Sequence, residues 1–389
     1  MSRLIPKFLN FASQPANYNA AHIPPAPRIL VIRFKWIGDV MLTSVLCNSL
    51  KKSFPDSTVD YLMHEAAANL FDDHPFIDNV IGLSTKQHKN PLRYLATLVT
   101  LGRTPYDLII DAQSTNKSEL VCLFCATKKA ICIGRYKPKR GRFYSHTENA
   151  TPDLGHKIIE RLSLLKPLAE LACNIQYDST MTITVPEKIK LKFQHELKNQ
   201  GASFNQPLFV FAVTAKLAHK KWSQQQLQEV ALHCLVKYKA QLVLFYGSNA
   251  EREDVHQFHN KMESNPNIIS SIKTNNVMEL AALIANCDLF VGNEGGPRHI
   301  AQSLGVASVA VFSPSAKKSE WLPSDSRAHQ GLEWDDLLTK TKAQKAAIHA
   351  QLDIASEQYK SLYKLITAQK VIDLVDDVAR FSGIKMVSS

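Results

Sequence analysis

Residues 288–312, D-L-F-V-G-N-E-G-G-P-R-H-I-A-Q-S-L-G-V-A-S-V-A-V-F, put two adjacent glycines, a proline and a histidine directly after a short apolar run. The chemistry this permits is anion binding. Leu289 to Val291 reads as a strand, Gly295 and Gly296 allow a tight backbone path, and Pro297 suits the first helical turn because it has no N–H to leave unpaired. The free N–H groups and the positive dipole end of the following helix then point at the turn, where a phosphate or diphosphate can sit. His299 adds a donor at that end. Gly305 is predicted to stop the helix, and Val306 to Phe312 reads as a second buried strand. The turn is neither G-x-G-x-x-G nor G-x-x-x-x-G-K-[ST], so neither a dinucleotide fingerprint nor a P-loop is indicated. Taken alone, it also fits a simple chain reversal.

Two other charged residues stand at turns. Asp39, in K-W-I-G-D after the apolar run Arg28 to Phe34, either caps the helix predicted from Val40 or serves as a carboxylate base. Lys220 and Lys221 precede Trp222 and Ser223, and read either as a surface pair or as a cationic anion site. The densest basic stretch, Arg135-Tyr136-Lys137-Pro138-Lys139-Arg140-Gly141-Arg142, follows an apolar strand, where open α/β sheets bind ligands; a solvated charged loop is the alternative. Lys86, Lys89 and Arg93 add positive charge earlier. His256 and His259 read as surface residues of a helix rather than metal ligands, and Cys122-Leu-Phe-Cys125 lies in apolar surroundings that do not suit a zinc or redox site. No D-x-D pair is present to hold a diphosphate through a metal.

The elements that must position these residues alternate strand and helix in both halves. Arg28 to Phe34, a helix to Phe54, and Thr58 to Met63 form a βαβ unit, with further strands at Asn79 to Gly82, Leu108 to Asp111 and Ala130 to Ile133. Residues 186–206 are polar, read as helical and end in a loop, and serve as the linker at the domain boundary. A second series then runs through strand Leu208 to Val213, helix Ser223 to Lys237, strand Gln241 to Tyr246 and helix Glu251 to Met262 to the glycine turn. Residues 333–381 read as helical, and Val371, Ile372, Val375 and Val378 give the last helix an apolar face to pack back with. The division is therefore a leader at 1–27, an α/β domain at 28–185, the linker, a second α/β domain at 207–330, and a helical segment at 331–389.

At 389 residues and 43.5 kDa, two domains are expected. The net charge of +11 favours an anionic partner, yet the chain has no nucleic-acid-binding motif to accompany it. Seven scattered cysteines suit reduced thiols in the cytosol, and no apolar run approaches the roughly 18 residues that span a bilayer.

Four stretches resemble one family, the bacterial lipopolysaccharide heptosyltransferases of glycosyltransferase family nine. R-I-L-V-I-R-F-K-W-I-G-D-V looks like its opening strand and G-D turn. Y-D-L-I-I-D-A-Q-S-T-N-K-S at 106–118 is similar to its Y-D-x-x-I-D-x-Q-G-x-x-K-S, with Ser114 in place of glycine. H-K-K-W-S at 219–223 matches K-x-W-P, with serine for proline, and G-N-E-G-G-P-R-H-I-A matches N-D-[ST]-G-x-x-H-x-A, with Glu294 for aspartate. The resemblance implies a GT-B fold, two Rossmann-like doubly wound domains facing a cleft. It implies metal-independent, inverting transfer of heptose from ADP-heptose to the lipopolysaccharide inner core, without a cofactor. Asp39 would be the general base. Thr214, Lys220, Asn293, Glu294, Gly295, Gly296 and His299 would bind the donor's diphosphate and sugar, and Gly247 and Glu251 its nucleoside. Lys86, Lys89, Arg93, Arg135 and Arg140 are the candidates for an anionic acceptor. The expected location is cytoplasmic, with peripheral contact at the inner membrane an open option.

Overall fold

The computed structural model describes residues 23–138, 141–149 and 156–385. The chain divides into two compact units, Met1–Thr184 and Val185–Ser389.

The first unit is built on six parallel strands: β1 (Arg28–Arg33), β2 (Thr58–His64), β3 (Asn79–Leu83), β4 (Tyr106–Asp111), β5 (Ala126–Arg135) and β6 (His146–Glu148). Their order is β3-β2-β1-β4-β5-β6. The crossovers carry α1 (Ile37–Ser53), α2 (Thr85–Lys89), α3 (Pro91–Leu101) and α4 (Asn116–Cys125), and α5 (Lys157–Leu162) follows the sheet. Ile29 to Ile32 and Leu108 to Ile110 are fully buried, as strands covered on both faces must be.

The second unit opens with α6 (Glu187–Asn199), inside the stretch read as a linker. Phe193 and Leu197 bury its apolar side, and the helix packs on α9 of its own unit, introduced below, so it is part of the unit rather than a tether. Six parallel strands follow: β7 (Leu208–Ala212), β8 (Gln241–Tyr246), β9 (Ile268–Lys273), β10 (Leu289–Asn293), β11 (Ala307–Val311) and β12 (His329–Leu332). The longer helices are α7 (Gln224–Lys237), α8 (Asn249–Lys261), α9 (Val277–Ile284), α10 (Gly296–Ser303), α11 (Lys342–Gln351), α12 (Glu357–Lys364) and α13 (Ala368–Phe381). Helix α13 packs its apolar face against α7, β11 and β12 of its own unit.

Read from β9, the second sheet runs β9-β8-β7-β10-β11-β12. Both sheets thus have the doubly wound order 3-2-1-4-5-6, and the strand order reverses between β1 and β4 in one and between β7 and β10 in the other. Crevices at the carboxyl ends of such strand pairs are where this architecture binds ligands. Two Rossmann-like units of this kind make a GT-B fold.

Candidate active site

At the first switch point, β1 ends at Arg33 and its turn leads into α1. The helix begins at Ile37 with Trp36 as N-cap, so Asp39 lies in the first helical turn and is not the cap. Its carboxylate is engaged by guanidinium groups instead. Oδ1 accepts from Arg33, and from Arg161 of α5 at 3.4 Å. Arg33 also donates to the Ala112 carbonyl just past β4 at 2.7 Å, and Arg161 to Glu160 at 2.8 Å.

Arg135, the last residue of β5, is buried and donates to the Asn149 carbonyl at 3.2 Å. The Nε atoms of Arg33, Arg161 and Arg135, and Nη2 of Arg135, are buried without a hydrogen-bond partner. Burial pulls the Arg161 and Arg135 guanidiniums below their ordinary range; Arg33 adds to this at Arg161, and Arg161 itself adds to it at Arg135. Donors left unpaired in a cationic cluster are a standing invitation to an anion.

The Y-D-L-I-I-D-A-Q-S motif shapes the neighbouring turn. Asp111 at the end of β4 accepts from the N–H groups of Gln113 and Ser114 at 2.9 Å and from the Tyr144 hydroxyl at 2.6 Å. Ser114 sits at φ +47°, which explains glycine as the usual residue of the resembled motif at this point. Its hydroxyl compensates, donating to the Asp111 carbonyl and accepting from the Arg135 N–H, both at 2.8 Å.

Lys86 and Lys89 on α2 and Arg93 on α3 are exposed, and no described hydrogen bond or ion pair joins them to this arginine cluster. Arg140 lies outside the described residues.

At the second switch point, the glycine turn has the predicted form. Strand β10 ends at Asn293, α10 starts at Gly296 with Pro297 in its first turn, and Gly305 at φ +71° follows its end. Asn293 is buried and its side chain is fully committed: Oδ1 accepts from the Trp222 N–H at 2.8 Å, and Nδ2 donates to the carbonyls of Ala212 and Thr214, each at 3.2 Å. It clamps the end of β7 and the lysine loop to β10. Gly292 permits that closeness, because a Cβ there would come within 2.6 Å of the Ala212 carbonyl oxygen.

Lys220 and Glu294 meet as an ion pair, Nζ to Oε1 at 2.7 Å. Lys221 turns elsewhere, to Asp254 at 2.6 Å. His299 is buried at the helix start, where the Arg298 guanidinium lies 2.6 Å from its Nδ1 and 3.3 Å from its Nε2. Arg298 itself has no exposed surface and also holds Gln302 and the Trp321 carbonyl. Burial lowers it to about 10, with Glu294 opposing that shift, so it remains a cation behind the turn. Glu251 closes the turn after β8 by accepting from the Gly247 N–H at 2.8 Å.

Several participants escape the sequence reading: Arg33, Arg161, Arg298, Tyr359 and Tyr363. Arg33 alone leaves a signal, a cation ending an otherwise apolar strand. The two histidines at 256 and 259 are engaged separately, by Arg252 at 3.3 Å and Ser270 at 2.9 Å.

Residues 95–345 match the profile of glycosyltransferase family 9 (heptosyltransferase), about two thirds of the chain. The chain belongs to glycosyltransferase family 9. Among curated relatives of this family 9 glycosyltransferase is lipopolysaccharide heptosyltransferase 3 of Escherichia coli strain K12, 27% identical over 72% of this chain and 80% of that protein. Among solved structures, the glycosyl transferase family 9 protein of Veillonella parvula superposes with a TM-score of 0.72 at 20% identity, covering 91% of this chain and 98% of the other. The E. coli ADP-heptose lps heptosyltransferase II gives 0.68 at 19% identity, with 92% and 99% covered. These likenesses extend the family 9 fold across both units. Among the described residues of this glycosyltransferase, no helix is long and apolar enough to cross a membrane.

Proposed function

We propose that this family 9 glycosyltransferase moves heptose from ADP-heptose to an anionic acceptor of the lipopolysaccharide inner core, with inversion and without a metal. Asp39 takes the proton of the acceptor hydroxyl. The acceptor oxygen bonds to the anomeric carbon as the bond from that carbon to the diphosphate oxygen breaks, and ADP leaves with the electron pair. Lys220, the N–H groups after Gly295 and the imidazole of His299 stabilise the charge that develops on the leaving diphosphate.

The observation that carries this reading is the pairing of roles with switch points. A carboxylate set among buried, partly unsatisfied arginines stands at one, and a lysine with a glycine turn and helix start stands at the other. The arginine cluster supports an acceptor bearing carboxylate or phosphate groups. The names of the relatives supply the sugar, the nucleotide and the acceptor. Glu294, one methylene longer than aspartate, favours a second reading in which the same chemistry uses another nucleotide sugar.

The test is release of ADP from ADP-heptose by wild-type and Asp39→Ala protein, with EDTA present and heptose-deficient core lipopolysaccharide as acceptor. Turnover that collapses in the variant supports the proposal. Binding of ADP-heptose without turnover rejects the acceptor or the catalysis, and no binding rejects the donor.

A further inference from the structure

We infer that α12 and the turn after it brace the lysine loop, with Tyr359 and Tyr363 as positioning residues for Lys220. The inference rests on the reading of Lys220 as a donor-diphosphate ligand.

The loop at 217–223 has little regular structure of its own: a single tight helical turn, Ala218–Lys220, with no side-chain cap. Backbone carbonyls outside helix and sheet need donors from elsewhere. Tyr359 and Tyr363 are four residues apart on one helix, hence on one face. Their hydroxyls donate to successive loop carbonyls, Tyr359 to His219 at 2.8 Å and Tyr363 to Lys220 at 2.9 Å. A third bond runs the other way, from the Trp222 indole N–H to the Ile366 carbonyl at 3.2 Å. The far side of the loop is already tied to β10 through the Trp222 N–H and Asn293.

A run of hydroxyls lies between α12 and Glu294. The Tyr359 hydroxyl lies 3.4 Å from Ser315 Oγ, Ser315 Oγ 3.2 Å from Ser313 Oγ, and Ser313 donates to Glu294 Oε1 at 3.4 Å. Tyr359 gives its proton to the His219 carbonyl and Ser313 gives its own to Glu294, so Ser315 has one proton for two neighbours, and the brace acts on the Lys220 side of the pair. Burial, with the Glu294 charge adding to it, keeps the Tyr363 phenol protonated, so it remains a donor across the working pH range. Apolar packing would require the two rings only; the hydroxyls each matched to a loop carbonyl are what assign the positioning role.

The experiment compares Tyr359→Phe/Tyr363→Phe, the two single variants and Lys220→Ala with wild type. Phenylalanine keeps the buried rings, and thermal unfolding checks that each variant folds; the single variants serve if the double does not. ADP binding is titrated, donor and acceptor KM and kcat are measured, and amide hydrogen exchange is followed across 217–223. The expected result is an ADP Kd and donor KM raised about tenfold in the double variant, an unchanged acceptor KM, and faster exchange confined to the loop. ADP binding and loop exchange at wild-type levels in the double variant, with binding weakened in Lys220→Ala, would overturn the brace while sparing the reading of Lys220. Wild-type ADP binding in Lys220→Ala would overturn that reading, and the inference with it.

Discussion

Lys220 Nζ lies 2.7 Å from Glu294 Oε1, so the two residues that one turn and one loop bring to the second switch point neutralise each other. Neither is far from solvent, the side chains being 31% and 11% exposed, and a partly screened pair of this kind is weak enough to be exchanged for a better one. A diphosphate offers more charge and more oxygens than a single carboxylate. Lys220→Ala should therefore weaken ADP binding by roughly ten- to a hundredfold, the range of a lost charge-assisted hydrogen bond. Glu294→Gln, which frees the lysine and keeps the side chain's size, should tighten ADP binding by about threefold. Calorimetric titration of both variants checks the pair; weaker binding in Glu294→Gln would refute the exchange.

Asp39 belongs to the first unit and the proposed diphosphate ligands to the second, so on the proposed mechanism chemistry and donor binding should separate on mutation. Asp39→Asn should lower kcat by about 10²- to 10⁴-fold, the usual contribution of a general base. ADP affinity should stay within about twofold of wild type. Loss of ADP binding in Asp39→Asn would show that the aspartate's role is structural.

The arginines around Asp39 should be read by the acceptor rather than the donor. Arg135 makes a single side-chain hydrogen bond, leaves Nε and Nη2 unpaired and feels the charges of Arg161, Glu160 and Glu148, so Arg135→Gln removes a charge at the cost of one hydrogen bond and the attraction of two carboxylates. Acceptor KM should rise about tenfold with donor KM unchanged, and wild-type acceptor KM should itself rise with salt as screening strengthens. A rise in donor KM alone would assign the cluster to the other substrate.

Asn293 and Gly292 should behave as structural residues despite their place in the motif. Asn293→Ala strands the buried Trp222 N–H and the carbonyls of Ala212 and Thr214, a loss of about 3 kcal/mol by the usual range for unsatisfied buried groups. Gly292→Ala drives a Cβ into the Ala212 backbone and should destabilise at least as much. Denaturant unfolding measures both. An Asn293→Ala protein of wild-type stability that has lost ADP binding would make the asparagine a ligand instead.

Stability should fall in mild acid. Burial holds His74 and His329 at about 4, below the ordinary histidine value of 6.5, with Arg298 reinforcing this at His329. Because the folded state favours the neutral rings, their contribution is fully present above pH 6.5 and is lost as pH falls from there toward 4. Melting temperatures should decline over that window, and less steeply in His74→Gln/His329→Gln. Identical slopes in the two proteins would exclude these rings as the cause.

What could be read in the chain was what local periodicity and turn chemistry encode. The buried strands β1, β4, β7, β8 and β10 are short apolar runs, and the G-G-P turn admits few conformations, so both were visible without a fold. Of the four edge strands only β3 was. β6 is H-T-E and β12 is H-Q-G-L, and residues this few and this polar carry no strand signal; it is the neighbouring strand that makes them strands. Residues 187–199 read as helical, but their place inside the second unit was not legible, because Phe193 and Leu197 make a narrow stripe among charges that shows its use only once α9 covers it.

The residue types at the site, Asp39, Lys220, Glu294 and His299, were determined by the sequence itself, because carboxylates, ammonium groups and glycine turns carry their chemistry wherever they stand. Their partners were decided by tertiary structure alone. Arg161 reaches Asp39, Tyr363 reaches the Lys220 carbonyl and Asn293 reaches Trp222 across long stretches of chain, and such contacts are set by the order in which strands enter the two sheets. Sequence spacing encodes neighbours three or four residues apart on a helix and two apart on a strand; it does not encode which distant carbonyl a buried hydroxyl will meet.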